Sequence, residues 1–123
     1  MAKKHILVVD DNDDIRKLIT TTLGNTFYNL GVAGDGEEAL HYLQTHDFPD
    51  LVILDMAMPF MSGLDVLRII KQDPETAHIE VIILSAQTDE ASEKEARALG
   101  VRAVMAKPFG PLELLRLLDD IFE

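Results

Sequence analysis

Ile6-Leu7-Val8-Val9-Asp10-Asp11 is a run of four aliphatic residues that ends, without interruption, on a pair of carboxylates. A short continuous apolar run of this kind is the mark of a strand buried on both faces, as in a parallel sheet. The pattern recurs along the chain. Leu51-Val52-Ile53-Leu54 runs into Asp55, Val81-Ile82-Ile83-Leu84 into Ser85, and Val104-Met105-Ala106 into Lys107. In an open parallel sheet the strand C-termini share one edge, where ligands bind. Carboxylates, a hydroxyl and an ammonium from distant parts of the sequence are therefore expected to meet in one small site.

The segments between these runs have helical period. Ile15, Leu18, Ile19, Thr22 and Leu23 share a helix face that Asn12 or Asp13 can cap and Gly24 can end. Asp35 reads as an N-cap with Glu38 three positions on, followed by Ala39, Leu40 and Leu43 on the inward side. A third helix starts after Gly63, carries Leu64, Leu67 and Ile70 inward and stops before Pro74; a fourth runs from about Thr88 to Leu99 and closes at Gly100. The last follows Pro111, which suits a first helical turn, with Leu114, Leu115, Leu118, Ile121 and Phe122 inward and Leu112 outside the stripe. A second strand near Tyr28 to Ala33 is less apolar, which suits a sheet edge. Five β-α units with short, right-handed connections predict an α/β three-layer sandwich with a parallel sheet in the order 2-1-3-4-5. The Asp10-Asp11 turn then lies beside the Asp55 turn, where the winding reverses.

At 123 residues the chain is one domain with room for a core. Its net charge of -11, from 11 basic and 22 acidic residues, repels phosphate backbones and anionic lipid, so direct nucleic-acid or membrane binding is not expected. The absence of cysteine excludes disulfides and thiolate metal sites. No apolar stretch approaches a membrane span, and Met1-Ala2-Lys3-Lys4-His5 leads straight into a strand rather than a signal peptide, so cytoplasmic residence is expected.

Crowded carboxylates repel one another, and a divalent cation is the usual remedy. Mg²⁺ takes oxygen ligands and commonly uses one or two carboxylates plus a phosphate oxygen. Asp11 and Asp55 can supply the carboxylates, Lys107 a positive charge aimed at phosphate, and Ser85 a hydroxyl. An ionised Asp55 beside a metal and a lysine can attack phosphorus and form an acyl phosphate. Singly, each residue has an ordinary reading as a cap or turn. Their joint placement at successive strand ends is what points to phosphoryl chemistry. His5, His41, His46 and His78 lack metal-like spacing and read as surface or edge positions, and the methionines near Asp55 as loop packing.

Ile6-Leu7-Val8-Val9-Asp10-Asp11, Asp35-Gly36-Glu37-Glu38-Ala39-Leu40, Asp55-Met56-Ala57-Met58-Pro59 with Gly63, Leu84-Ser85-Ala86 and Lys107-Pro108-Phe109 together resemble the receiver domain of two-component response regulators, over the whole chain, 1–123. The resemblance implies the flavodoxin-like (βα)5 fold, so it is not independent of the strand order above. It also implies that a sensor histidine kinase or histidine phosphotransfer protein donates a phosphoryl group from its histidine to Asp55. In that reading Asp11, Asp55 and the backbone carbonyl of Ala57 bind Mg²⁺, Asp10 acts through water, and Ser85 and Lys107 contact the phosphoryl oxygens. The Lys107-Pro108 peptide bond is implied to be cis. A downstream protein target is implied on the face formed by the fourth helix, fifth strand and fifth helix, where Leu112 could join Val104 in an apolar patch. A stand-alone regulator is the expected organisation.

Three positions depart from the family pattern. Val104 stands where many receivers carry a switching Tyr or Phe, and a β-branched side chain has few rotamers, so the surface readout is expected to be smaller or to be carried by the backbone of the 85–88 turn. Arg102 and Ala103 replace acidic residues common at the dimer face of DNA-binding regulators. Ala57 offers no polar group two residues after Asp55, so self-hydrolysis is expected to be slow to moderate and tuned by Gln87. Ala57 also disfavours an aspartyl phosphatase, which needs an acid at that place. A flavodoxin-like cofactor binder would need a Gly/Ser/Thr-rich loop where Asp10-Asp11-Asn12-Asp13-Asp14 stands. A degenerate receiver used only for docking is disfavoured by the intact acidic pair, Asp55, Ser85 and Lys107. The chain is thus expected to be a self-modifying switch rather than a turnover enzyme.

Overall fold

The computed structural model describes residues 3–24, 27–86 and 90–123. Among them, strands β1 (Lys4–Val9), β2 (Tyr28–Ala33), β3 (Leu51–Asp55), β4 (Glu80–Ala86) and β5 (Ala103–Lys107) alternate with helices α1 (Asp13–Leu23), α2 (Gly36–Thr45), α3 (Gly63–Gln72), α4 (Glu90–Ala98) and α5 (Pro111–Phe122). The strands form one sheet in the order β2-β1-β3-β4-β5, and every pair is parallel. Thr88, the expected start of the fourth helix, lies outside the described residues. No helix among the described residues is long and apolar enough to cross a membrane.

The apolar runs are buried on both sides because strand side chains alternate between faces. Leu7, Val9, Val52, Leu54, Val81 and Ile83 pack on one face against Ala39, Leu43, Leu67, Ile70 and Ala96 of α2, α3 and α4. Ile6, Val8, Leu51, Ile53, Ile82 and Leu84 pack on the other against Ile19, Leu23, Leu114 and Leu118 of α1 and α5. The helices therefore sandwich the sheet. Each fully buried aliphatic side chain contributes about 2 kcal/mol of transfer free energy, which is why an uninterrupted run specifies a central strand. β2, with exposed Val32, is an edge, as its polar interruptions predict.

The helix starts also follow local chemistry. Asn12 caps α1 by accepting from the Ile15 N–H at 3.0 Å, Asp35 caps α2 by accepting from the Glu38 N–H at 2.7 Å, and Ser62 and Asp65 form a reciprocal capping box on α3. Gly24 ends α1 at φ 61, a left-handed conformation open to glycine. One inward assignment is corrected. Leu18 is exposed, because Ile15, Ile19 and Leu23 at four-residue spacing already fill the line facing the sheet and Leu18 falls on its flank.

The β3–α3 connection is the tightest point near the strand ends. A Cβ on Gly63 would lie 2.1 Å from the Asp55 carbonyl oxygen and 2.9 Å from Met56 Cα, both backbone atoms that cannot step aside. The Gly63 N–H meanwhile donates to the Met56 carbonyl at 2.9 Å. Gly63→Ala is expected to cost about 2–3 kcal/mol, read as a lower urea midpoint with an unchanged slope.

Candidate functional site

Strand parity sorts the site residues before any contact is considered. Asp10 continues the row of Ile6 and Val8, Asp55 the row of Leu51 and Ile53, and Lys107 the row of Met105, all members of the core under α1 and α5. These three side chains leave the sheet on one face. Ser85 has the parity of Ile83 and leaves on the other.

The first group converges. Carboxylate oxygens of Asp10, Asp11 and Asp55 lie within 4.8 Å of one another, the one such metal-capable cluster among the described residues. Lys107 Nζ donates to Asp55 Oδ1 at 2.9 Å and to Asp10 Oδ2 at 3.1 Å. Asp10 is fully buried and Asp55 almost so, while Asp11 faces solvent. The remaining Asp10 oxygen accepts from the Asn12 N–H at 2.9 Å, and Asp55 Oδ1 also accepts from the Ala57 N–H at 3.3 Å. Ala57 is exposed beside the cluster. Buried Ser85 donates instead to the Ala86 carbonyl at 3.1 Å. The Lys107-Pro108 bond is cis. Gln87 and Thr88, assigned to hydrolysis tuning and the turn, lie outside the described residues.

Arg16 is a member of this region that the motif reading passed over. Its Nη1 donates to the Asp10 carbonyl at 2.7 Å and its Nη2 pairs with Asp13, so the guanidinium ties the acidic turn to the first turn of α1. The available signal was the i,i+3 spacing of Asp13 and Arg16. The histidines stay apart from the cluster. His5 Nε2 shares a 2.6 Å hydrogen bond with the Tyr42 hydroxyl, and His46 stacks on the Tyr42 ring at 3.9 Å, over α2 and β1. A surface groove between the C-terminal turns of α1 and α5 lies at the opposite end of the sheet and includes no site residue.

The charge balance is negative, with three carboxylates around one ammonium. Burial pushes the Asp55 carboxyl up from 3.8 to about 6, Asp10 and Asp11 push the same way, and Lys107 pulls back only in part. Burial alone would lower the Lys107 ammonium, but the bonds and charges of Asp55 and Asp10 leave it above its ordinary value. Because Asp55 binds its proton more tightly folded than unfolded, folding stability falls as pH rises from about 4 to about 6, and the penalty is fully present above that window. In EDTA at pH 8, Asp55→Asn is therefore expected to be more stable than wild type by about 1–3 kcal/mol. Urea denaturation should show the difference closing towards pH 4.

This geometry has counterparts. A family model described as the response regulator receiver domain matches residues 6–119. The chemotaxis protein CheY-3 of Vibrio cholerae is 38% identical over 119 residues, spanning 96% of this chain and 91% of that protein. The crystal structure of Vibrio cholerae CheY4 superposes with a TM-score of 0.88 at 31% identity, covering 98% of this chain and 99% of the other. The receiver domain of the Pseudomonas aeruginosa sensor histidine kinase PA1611, which has a magnesium ion coordinated in its active site cleft, superposes with a TM-score of 0.84 at 25% identity over 97% of each chain. With a three-layer fold, an acidic strand edge bridged by one lysine and a family match over nearly its whole length, the chain belongs to the response regulator receiver family.

Proposed function

We propose that residues 1–123 form a phospho-accepting switch, in which Asp55 takes a phosphoryl group from the histidine of a sensor kinase or phosphotransfer protein. The observation that carries this reading is the Lys107 ammonium held between Asp10 and Asp55 at the mouth of a negatively charged strand edge. A carboxylate oxygen of Asp55 attacks phosphorus as the bond from phosphorus to the donor imidazole nitrogen breaks. The electron pair of that bond leaves with the imidazole, and Asp55 becomes an acyl phosphate. Lys107 then has a phosphoryl oxygen to bind in place of a carboxylate, and the Ser85 hydroxyl can exchange the Ala86 carbonyl for another. The donor leaves with its free imidazole and the phosphoryl group stays on the chain's own Asp55, which makes the chain a switch rather than a turnover catalyst.

The donor set fits Mg²⁺, since it is all oxygen, clustered within 4.8 Å and compensated by one ammonium. Asp11, Asp55 and the Ala57 carbonyl would hold the ion, with Asp10 acting through water. Bound there, Mg²⁺ would supply positive charge that screens phosphoryl oxygens from the carboxylates. Val104 is half-buried against the α3–α4 core, so the readout rests on the 85–88 backbone and on the face of α4, β5 and α5, where Leu112 is 68% exposed to a downstream protein. The charge of -11 disfavours direct nucleic-acid binding by this domain.

Intact mass after incubation with phosphoramidate should show a Mg²⁺-dependent gain of one phosphoryl group in wild type and none in Asp55→Asn. Folded wild-type protein that binds Mg²⁺ yet gains nothing would overturn the proposal in favour of a docking module. Mg²⁺ at a hundred times its Kd should stabilise wild type by about 2.7 kcal/mol. Thermal denaturation should show far less for Asp11→Asn at the same concentration.

A further inference from the structure

Phe60 is the most exposed large hydrophobic side chain among the described residues, at 106% of its reference accessibility against 74% for Phe27 and 68% for Leu112. It also has a positive φ of 68°, the one non-glycine residue to do so among those described. The Met61 N–H donates to the Pro59 carbonyl at 2.7 Å across it, so Phe60 is the centre of a classic γ-turn, a rare and strained conformation. Glycine or asparagine takes positive φ at lower cost, and a bulky aromatic there is a true outlier. Neither burial of the ring nor the backbone preference of phenylalanine accounts for Phe60 at this place. An outlier beside a reactive group is a reason to look for a function.

Its neighbours are anchored. Met58 is buried, Met61 packs on the α2–α3 core, and Gly63 is hydrogen-bonded to Met56 and pressed against the Asp55 carbonyl. None of these three contacts uses the Asp55 carboxylate, which the loop meets through the Ala57 N–H, so Phe60 is already presented before chemistry at Asp55. A side chain presented in the unphosphorylated state suits the partner that must arrive before phosphorylation.

Distance supports the same partner. Three residues of chain span at most about 11 Å, so Phe60 lies within that reach of Gly63, which abuts Asp55. Even a small transient interface covers about 600 Å² per partner, a disc of about 14 Å radius. A protein donor centred on Asp55 therefore has Phe60 within or bordering its footprint. Resting on the phospho-acceptor reading above, we propose that Phe60 is a docking anchor for that donor, its ring entering an apolar recess beside the donor's phosphohistidine.

The test compares two phosphodonors on wild type, Phe60→Ala, Phe60→Leu and Phe60→Asn. Phosphoramidate needs no docking surface and should load all four at equal rates. The protein probes are the histidine-phosphorylated kinase and phosphotransfer domains encoded in the same genome, assayed singly to find the one that loads wild type fastest. With that donor, Phe60→Ala and Phe60→Asn should transfer at least tenfold more slowly, through a higher half-saturating concentration rather than a lower maximal rate. Phe60→Leu should fall between. Phe60→Asn should melt at or above the wild-type midpoint, separating docking from folding. Equal transfer to wild type and Phe60→Ala overturns the proposal, as does failure of every protein donor on wild type that phosphoramidate loads. Failure of phosphoramidate on wild type defeats the acceptor reading instead.

Discussion

One ammonium among three carboxylates is the constraint on which the active edge depends. Lys107 lies 97 residues from Asp10 and 52 from Asp55, yet contacts both at about 3 Å. Fully buried Asp10 would be costly to ionise without a partner, and Lys107 together with the Asn12 N–H satisfies both its oxygens. The pairing leaves a net negative edge. Burial, reinforced by that residual charge, is why Asp55 holds its proton up to about pH 6 despite its lysine, and the charge is why a divalent cation suits the place.

The β3–α3 loop divides its work between neighbours in sequence. Gly63 lets the chain return against the Asp55 carbonyl, Met58 and Met61 fill core space, and Phe60 is turned out by a backbone conformation that its own side chain disfavours. Anchoring and presentation thus occupy adjacent residues.

Much of this was legible in order. The runs ending at Asp10, Asp55 and Ser85 marked the three central strands and their C-terminal ends, because burial on both faces leaves no room for a polar residue until the strand stops, and the shorter run before Lys107 marked the edge strand β5. Asn12, Asp35 and Gly24 marked helix ends through hydrogen bonds within a few residues. Leu18 misled, since a helix face defined by apolar content is wider than the line that reaches the sheet. Arg16 and Phe60 were passed over, because neither a carbonyl contact nor a γ-turn has a distinctive residue pattern.

By itself the sequence determined the element order, the three-layer class and the set of groups at the strand ends, all of which follow from periodicity and from chemistry between near neighbours. Only the tertiary structure decided which atoms meet, Lys107 on Asp55 and Asp10, and that Phe60 stands in solvent. Those outcomes depend on strand parity, on the packing of two helical layers and on distances between residues far apart in the chain. Contacts and charge shifts of that kind exist only once the sheet has brought the strand ends together.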